Sequence, residues 1–242
     1  MGRKRNQNSN QHIGFVLSFV AGAINAGGFL AVHQYTSHMT GIVSAMADDV
    51  ALGLYELALA GLGSLICFLA GATCSALMVN YSRRHKMHSK YALPILLEAV
   101  LLLVFGLLGA KLIVVEGLFI SFTVMLLCFI MGLQNAVITK LSKSDIRTTH
   151  ITGIITDIGI ELGKLVYWNA SKYNDTAIVV ADRNRLMVLT LLAIFFFVGG
   201  VIGALGFNRL GYIATVPLSM ILVVLTIIPV VDDVVVFIRR VR

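Results

Sequence analysis

Two polar tetrads sit inside otherwise apolar sequence: His38-Met39-Thr40-Gly41 and His150-Ile151-Thr152-Gly153. Their residue types suit ligand binding. A threonine hydroxyl both donates and accepts, and an imidazole titrates near neutral pH. A glycine lets a backbone or ligand approach closely. Thr40 and Thr152 also read as helix N-caps, and the stretches 42–56 and 154–166 that follow have helical period. A helix start presents free N–H groups and the positive end of the dipole, which favour an anionic or strongly dipolar ligand. Asp157, Glu161 and Lys164 lie on one face of the second stretch; Asp48, Asp49 and Glu56 occur in the first. Asn25 and Asn135 stand in the middle of apolar runs. The candidate binding set is Asn25, His38, Thr40, Gly41, Asn135, His150, Thr152, Gly153 and Asp157. A plainer reading stays open beside it. Thr-Gly can begin an interfacial amphipathic helix with its acids in water, and buried asparagines can serve as interhelical hydrogen-bond glue.

The tetrads belong to a longer internal repetition. Phe19-Val-Ala-Gly-Ala-Ile-Asn-Ala26 returns as Phe129-Ile-Met-Gly-Leu-Gln-Asn-Ala136, with Phe, Gly, Asn and Ala kept. The tetrad windows return with His, Thr, Gly and Ile kept. Duplication in a membrane chain is the sign of a two-halved fold whose sites form where the halves meet. Gly199, Gly200, Gly203 and Gly206 match Gly71 and Ser75 when Phe68 is aligned with Phe197, and this spacing is helix-packing chemistry in a bilayer. The repetition also argues that 13–32 belongs to the mature fold, although Arg3-Lys4-Arg5 ahead of an apolar core resembles a signal peptide.

The elements that position these residues are membrane spans. Hydrophobic residues make up 58% of the 242 and charged residues 13%, where a soluble domain carries about 25% charged. Apolar runs cover 13–32, 57–79, 92–115, 117–139, 186–207 and 210–231, each near the ~20 residues that cross ~30 Å of hydrocarbon as a helix. The predicted fold is an all-α integral membrane protein of about six transmembrane helices. They form two inverted three-helix repeats, each with an extra short helix after its His-x-Thr-Gly motif. The expected organisation is a basic cytoplasmic tail at 1–12, repeat 1 at 13–115, and repeat 2 at 116–242 with a cytoplasmic insertion at about 168–185. Six spans put the basic clusters around residues 3–5, 83–90, 140–185 and 239–242 on the cytoplasmic side, as the positive-inside tendency requires. Eight spans would put the clusters at 83–90 and 140–147 outside. Both termini are therefore expected in the cytoplasm and the chain in the cytoplasmic membrane as a multi-pass protein.

Several functions are excluded on this reading. No HExxH, GxSxG or Walker loop occurs, so no enzyme activity, cofactor or metal is expected. Cys67, Cys74 and Cys128 sit in apolar runs without metal spacing. The net charge of +7 fits anionic lipid at the cytoplasmic face and does not call for nucleic acid. Glu98, four residues after Pro94, is expected to snorkel toward the interface, with a proton site as the alternative.

Met131-Gly-Leu-Gln-Asn-Ala136, Arg147-Thr-Thr-His-Ile-Thr-Gly153 and Asp157-Ile-Gly159 resemble the YoaK-like family of bacterial multi-pass membrane proteins, a family bearing a domain of unknown function. His38-Met-Thr-Gly41 resembles it too, but Ile42 stands where the family usually has Asn. The resemblance implies an integral membrane protein of about six spans and brings no substrate, cofactor or catalytic residue. The expected function is a small-solute or ion transporter or channel with its site near the paired Thr-Gly motifs. The alternative is a non-transporting membrane scaffold or assembly protein. The bilayer is the expected partner, with a solute or ion and a second copy of the chain left open.

Overall fold

The computed structural model describes residues 7–32, 34–85, 87, 90–111, 118–141, 151–167 and 179–241. Among them every regular element is helical: α1 (Gln7–Val32), α2 (Met39–Ala51), α3 (Tyr55–Arg84), α4 (Ala92–Lys111), α5 (Leu118–Leu141), α6 (Ile151–Val166), α7 (Arg183–Leu210), a 3-10 turn (Gly211–Ala214) and α8 (Thr215–Val241). Helices satisfy their own backbone groups, which is what apolar sequence in hydrocarbon demands. Five described stretches are long and apolar enough to cross a bilayer. The last, Arg183–Ile227, runs through the 3-10 turn and so consists of α7 and the start of α8. The chain is an all-α membrane protein.

Local chemistry sets the ends. Asp182 caps α7 by accepting the Arg185 backbone N–H at 3.0 Å. Gly211, at φ 59°, turns the chain out of α7. Pro94 and Pro217 fall in the first turns of α4 and α8, where their missing N–H costs nothing. The stretch 42–56, expected as one helix, is two: Gly53 at φ 75° breaks it, α2 ends at Ala51, and Glu56 belongs to α3.

Glycines bring the long helices together. A Cβ on Gly22 would overlap the Phe196 carbonyl, and one on Gly199 would overlap that of Phe19. The same crossing recurs between α3 and α5, where Gly71 meets the Phe129 carbonyl and Gly132 that of Phe68. These contacts correct the expected alignment by one residue: Phe68 corresponds to Phe196, while Phe197 is exposed. Gly203, the counterpart of Ser75, sits against the Ala23 backbone.

Contact order gives the relative directions. Gly14 lies near Leu192, Gly22 at Phe196 and Gly27 at Phe207, so α1 and α7 run parallel. Gly63 lies near Met125 and Gly71 near Leu133, so α3 and α5 do too. By contrast α1 and α5 are antiparallel: Gly28 faces Leu127, and Gln134 Nε2 donates to the Leu17 carbonyl at 3.3 Å. So are α4 and α8, where Gly109 meets Tyr212, Gly106 meets Thr215, and Ser219 Oγ donates to the Ala99 carbonyl at 2.9 Å. The main core is the interior of this bundle, with Leu17, Ile24, Leu102, Phe105, Leu127 and Leu133 buried.

Candidate functional site

The two short helices lie inside the bundle's length. α2 has 13 residues and α6 has 16, so at 1.5 Å per residue they reach about 20 and 24 Å, short of the ~30 Å of hydrocarbon. Each folds back on the long helix that follows it. In the first half Met46 and Ile42 pack over Gly61. In the second, Ile154 packs with Leu189 and Leu192. The first turn of α6 therefore sits near the middle of α7. Ahead of α2 the chain dips back along α1, where Ser37 Oγ donates to Asn25 Oδ1 at 2.7 Å. Tyr35 stacks on Phe29 with ring centroids 4.4 Å apart.

Both helix starts open on one cavity of about 510 Å³, lined by Asn25, Tyr35, Ser37, His38, Met39, Thr40, Ile151, Thr152, Gly153 and Phe196. Small-molecule sites occupy roughly 300–1,000 Å³. None of these lining residues carries a fixed charge. The positive ends of α2 and α6 thus supply the electrostatic bias.

Neither threonine holds the cap position expected of it. α2 begins at Met39, so Thr40 is its second helical residue and His38 holds the cap position, without a side-chain cap bond. α6 begins at Ile151, which makes Thr152 its second residue. Thr40 and Thr152 therefore line the cavity from the second positions of their helices. Gly41 does not line the cavity; a Cβ there would come within 2.6 Å of His38 Nδ1, so the glycine makes room for the imidazole over the first turn.

Of the candidate set, Asn25, His38, Thr40, Thr152 and Gly153 come together at the cavity. His150 lies outside the described residues. Asn135 is half-buried in α5, where its carbonyl accepts the Thr139 hydroxyl at 2.8 Å. Asp157 pairs with Arg185 of α7 at 3.2 Å. Glu161 accepts from Lys164 Nζ at 2.8 Å and from the Asp182 N–H at 2.9 Å. Those bonds, the Lys164 one foremost, hold its carboxyl below the usual glutamate range. This acidic face ties α6 to α7 and does not face the cavity. Sequence reasoning missed Tyr35 and Ser37; their one signal is the polar run Gln34–Ser37 before the first tetrad. Glu98 does not snorkel: its side chain is fully buried and neither oxygen has a hydrogen-bond partner.

Fold and cavity together define a helical integral membrane protein with a cleft at two helix starts, lined by polar and apolar side chains. The chain belongs to the family described as "Protein of unknown function (DUF1275)", which matches residues 13–228. It is 26% identical over 192 residues to the UPF0700 transmembrane protein YoaK of Bacillus subtilis (strain 168), covering 78% of this chain and 80% of that one. No solved structure matches it.

Proposed function

We propose that the protein moves a small anionic or dipolar solute, or an ion, across the cytoplasmic membrane, with its site in the cavity at the paired Thr-Gly motifs. The observation that carries this is the convergence of two helix starts, one from each half of the sequence, on one uncharged cleft. Free N–H groups and dipole ends suit an anion or a zwitterion's carboxylate. In two-halved transporters, short broken helices present such ends near the midplane.

Six spans in two inverted repeats fit the directions of the helices. If α2 and α6 also crossed, α1 and α5 would run the same way, and so would α4 and α8; both pairs are antiparallel. With three crossings per half, the second half begins on the opposite side. α2 then re-enters from outside and α6 from the cytoplasm, with both termini inside on the positive-inside count. The recurring glycine crossings, Gly22 on α7 and Gly132 on α3, fit a pseudo-two-fold relation between the halves.

The test is a panel of inorganic anions, carboxylates and amino acids screened by thermal shift on purified protein. At least one should raise the melting temperature. Thr40→Val and Thr152→Val should each weaken that response at nearly unchanged basal stability, and the double variant should be non-additive because both touch one site. A panel without any response, or simple additivity, would point to a scaffold without a solute site.

A further inference from the structure

Glu98 is the most costly residue in this bundle to leave unexplained. Among the described residues, the buried side-chain nitrogens and oxygens without a hydrogen-bond partner are Ser75 Oγ, Gln134 Oε1 and both oxygens of Glu98. Glu98 has no exposed surface, and it sits on α4 one turn beyond Pro94. Its level follows from the α4–α5 pair. Tyr91 Oη donates to the Lys140 carbonyl at 2.9 Å, and the two helices are joined at their far ends between 111 and 118. Counting from both ends puts Glu98 level with Met131–Leu133. Asn25 is level with about residue 128 of α5, judged from the α1–α5 contacts. Glu98 therefore lies about one turn, ~6 Å along the axis, from the level of the cavity.

Among the described residues, none supplies Glu98 with a counter-charge. α4 packs against α8, α5, α3 and the 3-10 turn. The described side chains of α8, residues 215–227, include no titratable group. The 3-10 turn offers Tyr212, at the other end of α4 against Gly109. α5 offers Cys128 and, about two turns toward the cytoplasmic end, Lys140, whose Nζ is engaged with the Ala76 carbonyl at 3.4 Å. On α3 are Tyr55, Glu56, Cys67, Cys74, Tyr81, Arg83 and Arg84. None of them pairs with Glu98. An ionised carboxylate here, without exposed surface, would have neither donor nor cation among the described residues.

We propose that Glu98 is a proton-binding site, buried as the neutral acid, and that the proton is the coupling ion of the transport reading above, on which this second part rests. A metal cation fits less well, because it needs several oxygen ligands. No group of three or more acidic, His or Cys side chains that could hold one occurs among the described residues. A proton needs only the carboxylate. Uptake converts the carboxylate to the carboxylic acid, moves its charge from −1 to 0, and breaks no other bond. Release requires α4 and its neighbours to part and admit water, which links protonation to a change of bundle state.

Infrared spectroscopy of the full chain in lipid nanodiscs tests the site without any solute. At neutral pH the wild type should show a carboxylic-acid C=O band that Glu98→Gln abolishes, and the band should shift in D2O as the proton exchanges. If Glu98→Gln does not fold, Glu98→Asp should move the band instead. The absence of such a band at neutral pH, or a band that never exchanges, overturns the site. For coupling, a solute found by the panel should acidify dye-loaded liposomes with the wild type and lose that acidification with Glu98→Gln. Acidification that survives the change overturns the coupling role. A missing band with an intact ligand response sinks the proton site alone, whereas a silent panel sinks the transport reading and leaves the band standing.

Discussion

α2 and α6 correspond in sequence, lead to the same cavity and are held differently, α6 by charged contacts in addition to packing. α2 is joined to α3 by the short turn 52–54 and leans on it through apolar contact, Ile42 and Met46 over Gly61. Its acids Asp48 and Asp49 make no side-chain hydrogen bond or ion pair among the described residues, and Asp49 borders a second cavity of about 230 Å³ beside Gln34 and Ser64. α6 is fastened to α7 by Asp157–Arg185 and by Glu161, which accepts the Asp182 N–H at the α7 cap while pairing with Lys164 within α6. It needs that fastening. Gly159 and Gly163 lie in its interior with open space around them, and each costs about 1 kcal/mol in helix stability relative to alanine. One short helix is therefore secured by packing, which tolerates salt and acid. The other adds charged fastening to the packing of Ile154 on Leu189 and Leu192, and that added part does not.

The largest effect should come from the crossings that set both helices in place. Gly203 touches the Ala23 backbone, while its counterpart Ser75 already carries a side chain at the equivalent place. Gly203→Leu should cost more than the ~1–3 kcal/mol usual for overpacking, because the obstructing atoms are backbone. The expected result is little or no monodisperse protein. Ser75→Leu should be milder by comparison. A normal yield and melting curve for Gly203→Leu would break the claim that α1 and α7 need this glycine.

Much of this arrangement is legible in the chain, and the illegible parts share a physical cause. Spans, the repeated tetrads and the helix starts show because apolar length and short-range spacing are local properties. The break at Gly53 does not show, since periodicity is blind to one positive φ within a helical pattern. The one-residue offset between Phe196 and Phe197 hides for a similar reason: two aromatic neighbours fit a sequence alignment equally, and only helix packing tells them apart. Asp157 looked like a site residue because its partner Arg185 lies 28 positions away. The fold-back that joins Ser37 to Asn25 depends on tertiary contact and has no local signature beyond polarity.

A middle-sized effect should separate the charged fastening from the packed one. Glu161→Gln removes a carboxylate held by Lys164 and by a backbone N–H, so α6 should loosen while α2 does not. Hydrogen exchange should rise several-fold in 151–167 and stay unchanged in 39–51. The pH dependence has a definite sign. The folded carboxyl titrates below the usual glutamate range, so its contribution is complete above that range and is lost as pH falls through the lowered value. Acidification into that window should therefore speed exchange in α6 of the wild type. It should have little further effect on Glu161→Gln. Equal acid sensitivity in α2 and α6 would erase the contrast between them.

The smallest effect is the most specific to the cavity. Gly41→Ala sets two terms against each other. Alanine is the better helix former by about 1 kcal/mol in a helix interior, and less in a first turn. Against this, its Cβ would reach within 2.6 Å of His38 Nδ1. The obstructing atom belongs to the end of an exposed side chain rather than to backbone, so the ring should swing aside at small cost. The melting temperature should change little in either direction. The imidazole, displaced from its place over the first turn of α2, would no longer line the cavity at the same position. Ligand response should fall although stability does not, and the His38 ring resonances should move. An unchanged ligand response together with shifted His38 resonances would remove His38 from the site and leave Thr40 and Thr152 as its side-chain contributors at the helix starts.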